Sequence, residues 1–100
     1  MMKSIVFVIL KTPFGEDPTD LVNTLAGDFK RSFLLLEDGV YWSVIEEKCR
    51  ILKGLNAEIF AANDDLEARG FDDTIEGVKI LDYDEIVEVL MEEYDQIITL

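Results

Sequence analysis

Apolar residues come in short blocks along this chain, and their spacing changes from block to block. Ser4 to Leu10 is a continuous β-branched and apolar stretch, the pattern of a strand buried on both faces. Thr12-Pro13-Phe14-Gly15-Glu16-Asp17-Pro18 carries two prolines and a glycine, which break regular structure and predict a loop. Leu21, Val22, Leu25, Ala26 and Phe29 then recur on one face of a helix that Thr19 or Asp20 can cap. Ser32 to Leu36 predicts a second strand, stopped by Glu37-Asp38-Gly39. Val40 to Lys53 predicts a second helix, with Tyr41, Val44, Ile45, Ile51 and Leu52 at helical spacing and Leu55 just beyond; Gly54 and Asn56 end it.

Ala57 to Ala62 predicts a third strand, with Asn63 as N-cap of a short helix that opens on Asp64 and Asp65 and closes at Arg69-Gly70. After a polar connection over Phe71 to Gly77, Val78 to Leu81 predicts a fourth strand. The last helix has the cleanest stripe: Tyr83, Ile86, Val87, Leu90, Met91 and Tyr94 fall at i, i+3, i+4, i+7, i+8 and i+11. Gln96 to Leu100 reads as a closing strand. Strand and helix therefore alternate. The expectation is a single α/β domain over residues 1–100, a mostly parallel sheet of about five strands with helices on both faces. The pattern leaves the strand order open.

Composition narrows the function classes. Twenty-two acids against nine bases give a net charge of −13, which repels a phosphate backbone and argues against direct nucleic-acid binding. The longest apolar run, Ile5 to Leu10, falls far short of the roughly 20 residues of a membrane span, so a cytoplasmic chain without membrane contact is expected. There is no histidine and a single cysteine, Cys49, so an internal disulfide, a zinc-finger spacing and any Cys-His pair within one chain are excluded.

In an open parallel sheet, ligands gather at the carboxyl ends of the strands. Those ends carry Lys11-Thr12-Pro13-Phe14, Glu37-Asp38-Gly39, Asn63-Asp64-Asp65 and Asp82-Tyr83. Thr12, Pro13, Phe14, Glu37, Asp38, Gly39, Asn63 and Asp64 therefore form the candidate strand-end surface. A metal would need Glu37, Asp38, Asp64 and Asp82 to converge; turn and capping chemistry explains each of them, so no metal site is expected. No glycine spacing fits a nucleotide loop, and no cofactor is implied. Cys49 has Lys48, Arg50 and Lys53 as neighbours, a setting that would favour a thiolate. Yet it shares an apolar stripe with Trp42, Ile45 and Leu52, where a cysteine is a small hydrophobe. The buried reading is preferred, with Cys49 kept as a minor candidate sulfur carrier. Tyr41 and Trp42 fit a core or a partner interface equally well.

Several stretches, in order, resemble the DsrH/TusB family of sulfur-relay proteins. Ser32-Phe33-Leu34-Leu35-Leu36-Glu37-Asp38-Gly39-Val40-Tyr41 is similar to its strand-turn-helix segment with an LLLxDGV-like core. Ala61-Ala62-Asn63-Asp64-Asp65-Leu66-Glu67-Ala68-Arg69-Gly70-Phe71 is similar to its LNxDLxARGL segment, and Val78 to Val87 to its LIDYxxFV segment. Lys11-Thr12-Pro13-Phe14 matches its KSPF-like loop. The resemblance implies a DsrE/DsrF/DsrH-like fold and a subunit, with DsrE-like and DsrF-like partners, of a complex that passes persulfide sulfur between cysteines. It implies service to 2-thiouridine formation in transfer RNA or to sulfur oxidation. Some members carry a first-helix cysteine near the position of Val22 or Asn23, where this chain has no thiol. Ile97-Ile98-Thr99-Leu100 also lacks the tryptophan common near the family's C-terminus. The expectation is a subunit without its own catalytic cysteine; the alternative is a free-standing module that assembles with itself.

Overall fold

The computed structural model of the chain describes residues 3–92 and 94–100. Strands β1 (Ser4–Ile9), β2 (Lys30–Leu35), β3 (Ala57–Ala62), β4 (Val78–Leu81) and β5 (Gln96–Thr99) form one sheet in the order β4-β3-β2-β1-β5. Every pairing is parallel. That is why β1 reads as an unbroken apolar run: it sits in the sheet interior with both faces covered, and Ile5 to Ile9 are all buried. Among the described residues, no helix is long and apolar enough to cross a membrane.

The connections explain how the helices are distributed. Helices α1 (Thr19–Ala26), α2 (Glu46–Gly54) and α3 (Asn63–Ala68) link strands that step in one direction across the sheet. Helix α4 (Tyr83–Glu92) returns from the β4 edge to the β5 edge. Crossovers in parallel sheets are right-handed, so the returning helix must take the opposite face. The two cores follow. Ile5, Phe7 and Ile9 of β1 join Phe33, Leu35, Ile59 and Ala61 beneath Val22, Val40, Trp42, Cys49, Leu52 and Leu66. Val6, Val8, Leu34, Phe60 and Leu81 pack under Val89, with Ile86, Leu90 and Tyr94 beside them.

Several local expectations are corrected. The segment expected as one helix over Val40 to Lys53 is divided into a 3-10 helix, Glu37–Ser43, and α2. Ser43 Oγ donates to the Val40 carbonyl at 2.6 Å, and the Ser43 carbonyl accepts from Ile75 N at 2.7 Å instead of continuing the helix. Ile45 then lies extended before α2 begins. In α1 the sheet takes only Val22 and Ala26. Leu21 and Leu25 are exposed, and Phe29 lies half-buried beyond the helix, which Gly27 ends at a φ of +50°.

Neither Thr19 nor Asp20 caps α1. Pro18 holds the N-cap position without a side-chain bond, and the turn before it is tied by Asp17, which accepts from the Thr19 amide at 2.8 Å and from its hydroxyl. Asn63 is the first residue of α3 rather than its cap, and its Nδ2 donates to Glu67 Oε1 at 3.3 Å. Asp82 does cap α4: its Oδ1 accepts from Glu85 N at 2.9 Å, while Glu85 Oε1 accepts from Asp82 N at 3.1 Å.

Candidate functional site

Strands β3 and β4 are neighbours, but the chain leaves β3 towards α3 on one face and leaves β4 towards α4 on the other. Adjacent strands whose connections part in this way open a crevice between their carboxyl ends. A cleft of about 450 Å³ lies there. Leu10, Leu36, Ala62 and Leu81, all at strand ends, form its floor. Tyr83, Ile86, Val87 and Leu90 of α4 form one wall, and Glu37, Asp64 and Asp65 form an acidic rim. Its interior is apolar and holds no base.

The rim is fixed by a polar latch between the end of β2 and α3. Glu37 adopts a left-handed φ of +52°, unusual for a residue with a side chain, and its amide donates to Asp65 Oδ2 at 2.8 Å. One residue on, Asp38 Oδ1 accepts from Arg69 Nη2 at 2.8 Å and from Nε at 3.1 Å. Arg69 also donates through Nη1 to the Asp65 carbonyl at 3.0 Å. Hydrogen bonding to Asp38 is the main reason the Arg69 pKa is raised. Gly39 follows because nothing larger fits: a β-carbon there would stand 1.9 Å from the Ile9 carbonyl oxygen. The EDG turn and the NDDLEARG segment are thus two halves of one structural joint.

This geometry sorts the sequence candidates. Glu37 and Asp64 line the cleft, whereas Asp38 is held by Arg69 and Asn63 serves the first turn of α3. Gly39 and Pro13 are buried, so they support the strand-end surface without forming part of it. Phe14 is 70% exposed. Thr12 lines a separate hollow of about 140 Å³, together with Lys11, Trp42 and Leu100.

Of the two readings of Trp42, core and interface, its burial fits the core. The ring is only 4% exposed within the crowded core, and its Nε1 finds no acceptor among the described residues. Tyr41 is half-buried and sits edge-on to Phe71, with centroids 5.4 Å apart. The α4 wall was missed as a site because its stripe reads as core. Part of that stripe is uncovered in the structure, where Tyr83 and Met91 are 71% and 78% exposed.

Cys49 is fully buried on the face opposite the cleft, and burial raises its pKa above the ordinary thiol value. At the first-helix position, Val22 is buried and Asn23 accepts a hydrogen bond from Arg31. A hollow of about 480 Å³ at the amino ends of β2 and β3 surrounds Arg31, whose guanidinium also donates to the Gly27 carbonyl at 2.9 Å. Among the described residues, no group of three acidic or thiol side chains is placed to hold a metal ion.

No curated protein matches the chain by sequence. Among solved structures, the crystal structure of ychN protein from E. coli is similar, with a TM-score of 0.77 over 99% of this chain and 100% of that one. At 19% identity, that likeness speaks for the fold. The family model described as DsrH like protein matches residues 11–96, a span that runs from the KSPF-like loop through the latch and α4 to the start of β5. With its fold and its joined motifs both accounted for, the chain belongs to the DsrH-like family.

Proposed function

We propose that this chain is a cytoplasmic sulfur-relay subunit that scaffolds persulfide transfer without carrying the sulfur itself. Its partners are DsrE-like and DsrF-like chains that supply the working cysteine, and the sulfur goes to transfer-RNA wobble thiolation or to sulfur oxidation. Membership of the DsrH-like family supports a sulfur-relay-type subunit. The observation that carries the non-catalytic half is the position of Cys49. It is the chain's only thiol, it is fully buried, and burial disfavours its thiolate. Transfer requires a thiolate to attack the outer sulfur of a persulfide, so an inaccessible thiol with a raised pKa is a poor carrier.

The test is native mass spectrometry of the tagged chain purified from its own cells, with a persulfide-transfer assay on the recovered complex. The expected result is recovery with small cysteine-bearing α/β chains and unchanged transfer in Cys49→Ser. Loss of transfer in Cys49→Ser, with the complex intact, overturns the non-catalytic role. Recovery of the chain only with itself overturns the hetero-oligomer and leaves the free-standing module.

A further inference from the structure

One flank of α4 carries an uncovered apolar row. Tyr83, Val87 and Met91, spaced four residues apart, are 71%, 38% and 78% exposed. Tyr83 and Val87 also form the wall of the strand-end cleft, so stripe and cleft make one continuous surface. Its surroundings are mostly acidic. Helix α4 contains no lysine or arginine, and Asp84, Glu85 and Glu88 form no ion pair among the described residues. Glu37 and Asp64 border the cleft, and Glu58, Glu85 and Glu88 border a groove along the other side of α4, where Lys79 is the one base.

From this we infer that the α4 face docks a partner polypeptide whose apolar row is flanked by lysines or arginines. Charge complementarity selects that occupant over a second copy. A two-fold contact through α4 would bring the acids Asp84 and Glu88 of one copy close to those of the other, in a chain whose net charge is already −13. Among the described residues, helices α1 and α2 do not offer the complement either. The exposed Leu21 and Leu25 of α1 stand on a helix with an acid and no base, while Arg50 and Lys53 of α2 have no exposed large apolar side chain beside them.

The inference deepens the subunit role proposed above and rests on it for the identity of the partner. The test titrates the isotope-labelled chain with a synthetic amphipathic Leu/Lys peptide of about 14 residues, followed by amide chemical shifts. Binding is expected to move the amides of Tyr83 to Met91 and of Leu36 and Glu37. It should weaken roughly tenfold between about 50 and about 500 mM salt. Met91→Lys, at an exposed position, should keep the fold and weaken binding roughly tenfold. It should also release the native partners.

Shifts spread over α1 and α2, or binding that Met91→Lys leaves unchanged, overturn the inference. So does a chain that dimerises alone and becomes monomeric in Met91→Lys. Retention of native partners by Met91→Lys overturns the docking surface while leaving the subunit role standing. A peptide that binds at α4 of a chain with no native partner supports the surface and overturns the subunit role.

Discussion

The two faces of the sheet solve the same packing problem to different degrees. One face lies under three helices and a 3-10 turn, which bury Phe7, Phe33, Trp42, Cys49 and Leu52 almost completely. The other has a single helix to cover five strands; Ile86 and Leu90 remain half-buried, and Tyr83, Met91 and Ile97 are exposed. Topology causes the difference, because three connections advance and only one returns. A face closed by its own chain contributes stability. A face left open by its own chain is available for recognition, and here the open face also carries the strand-end cleft.

Substitutions can break or sharpen that contrast. The largest expected effect is Phe33→Ala, which empties the crowded core and should cost about 4 kcal/mol in urea unfolding. Leu90→Ala on the α4 face should cost about 2 kcal/mol or less, because its site is already half open. Equal losses would mean that α4 closes its face as fully as the three helices close theirs.

Next comes Gly39→Ala, whose new β-carbon must displace the Ile9 backbone; about 3 kcal/mol is expected, with the cleft deformed as well. Tyr94→Phe removes the hydroxyl that donates to the buried Ser32 Oγ at 2.7 Å beneath α4. A loss of about 1 kcal/mol is expected from thermal unfolding, and no change would show that this hydrogen bond adds nothing to stability on the α4 face.

The smallest effect is one of pH. Burial raises the Cys49 pKa above its value in the unfolded chain. Folding then holds the proton more tightly, so this contribution is complete below the unfolded thiol pKa and is lost as pH rises through the folded one. Unfolding curves measured around and above pH 9.0 should fall less steeply with pH for Cys49→Ala than for the parent chain. Parallel curves would place the thiol in contact with water.

Much of this fold was legible because buried parallel strands have an unmistakable composition. The stretch from Ser4 and the Ala57 to Ala62 segment are strands in the structure as in the sequence, and the Asp82 cap follows from residue type alone. The break at Ser43 was not legible, because the hydrogen bond that ends the 3-10 turn comes from Ile75, in a distant connection. Trp42 illustrates the same limit: an aromatic at the start of a helical pattern fits core or interface until its neighbours are known. For the site, Glu37 and Asp64 were visible as strand-end acids. The apolar wall was not, because Tyr83 and Val87 obey the same periodicity as the buried residues beside them, and only the topology reveals that part of the stripe has nothing to pack against.

The latch between Asp38 and Arg69 also carries a consequence for descent. The two residues lie 31 positions apart in the chain, yet the carboxylate and guanidinium meet at 2.8 Å and each is the other's principal partner. A lineage that replaces Arg69 removes the reason to keep Asp38, and one that replaces Asp38 leaves a half-buried cation without its main counter-charge. The pair should therefore persist or disappear together among related chains, while Phe14 and Leu21, which touch little of the fold, are free to drift independently.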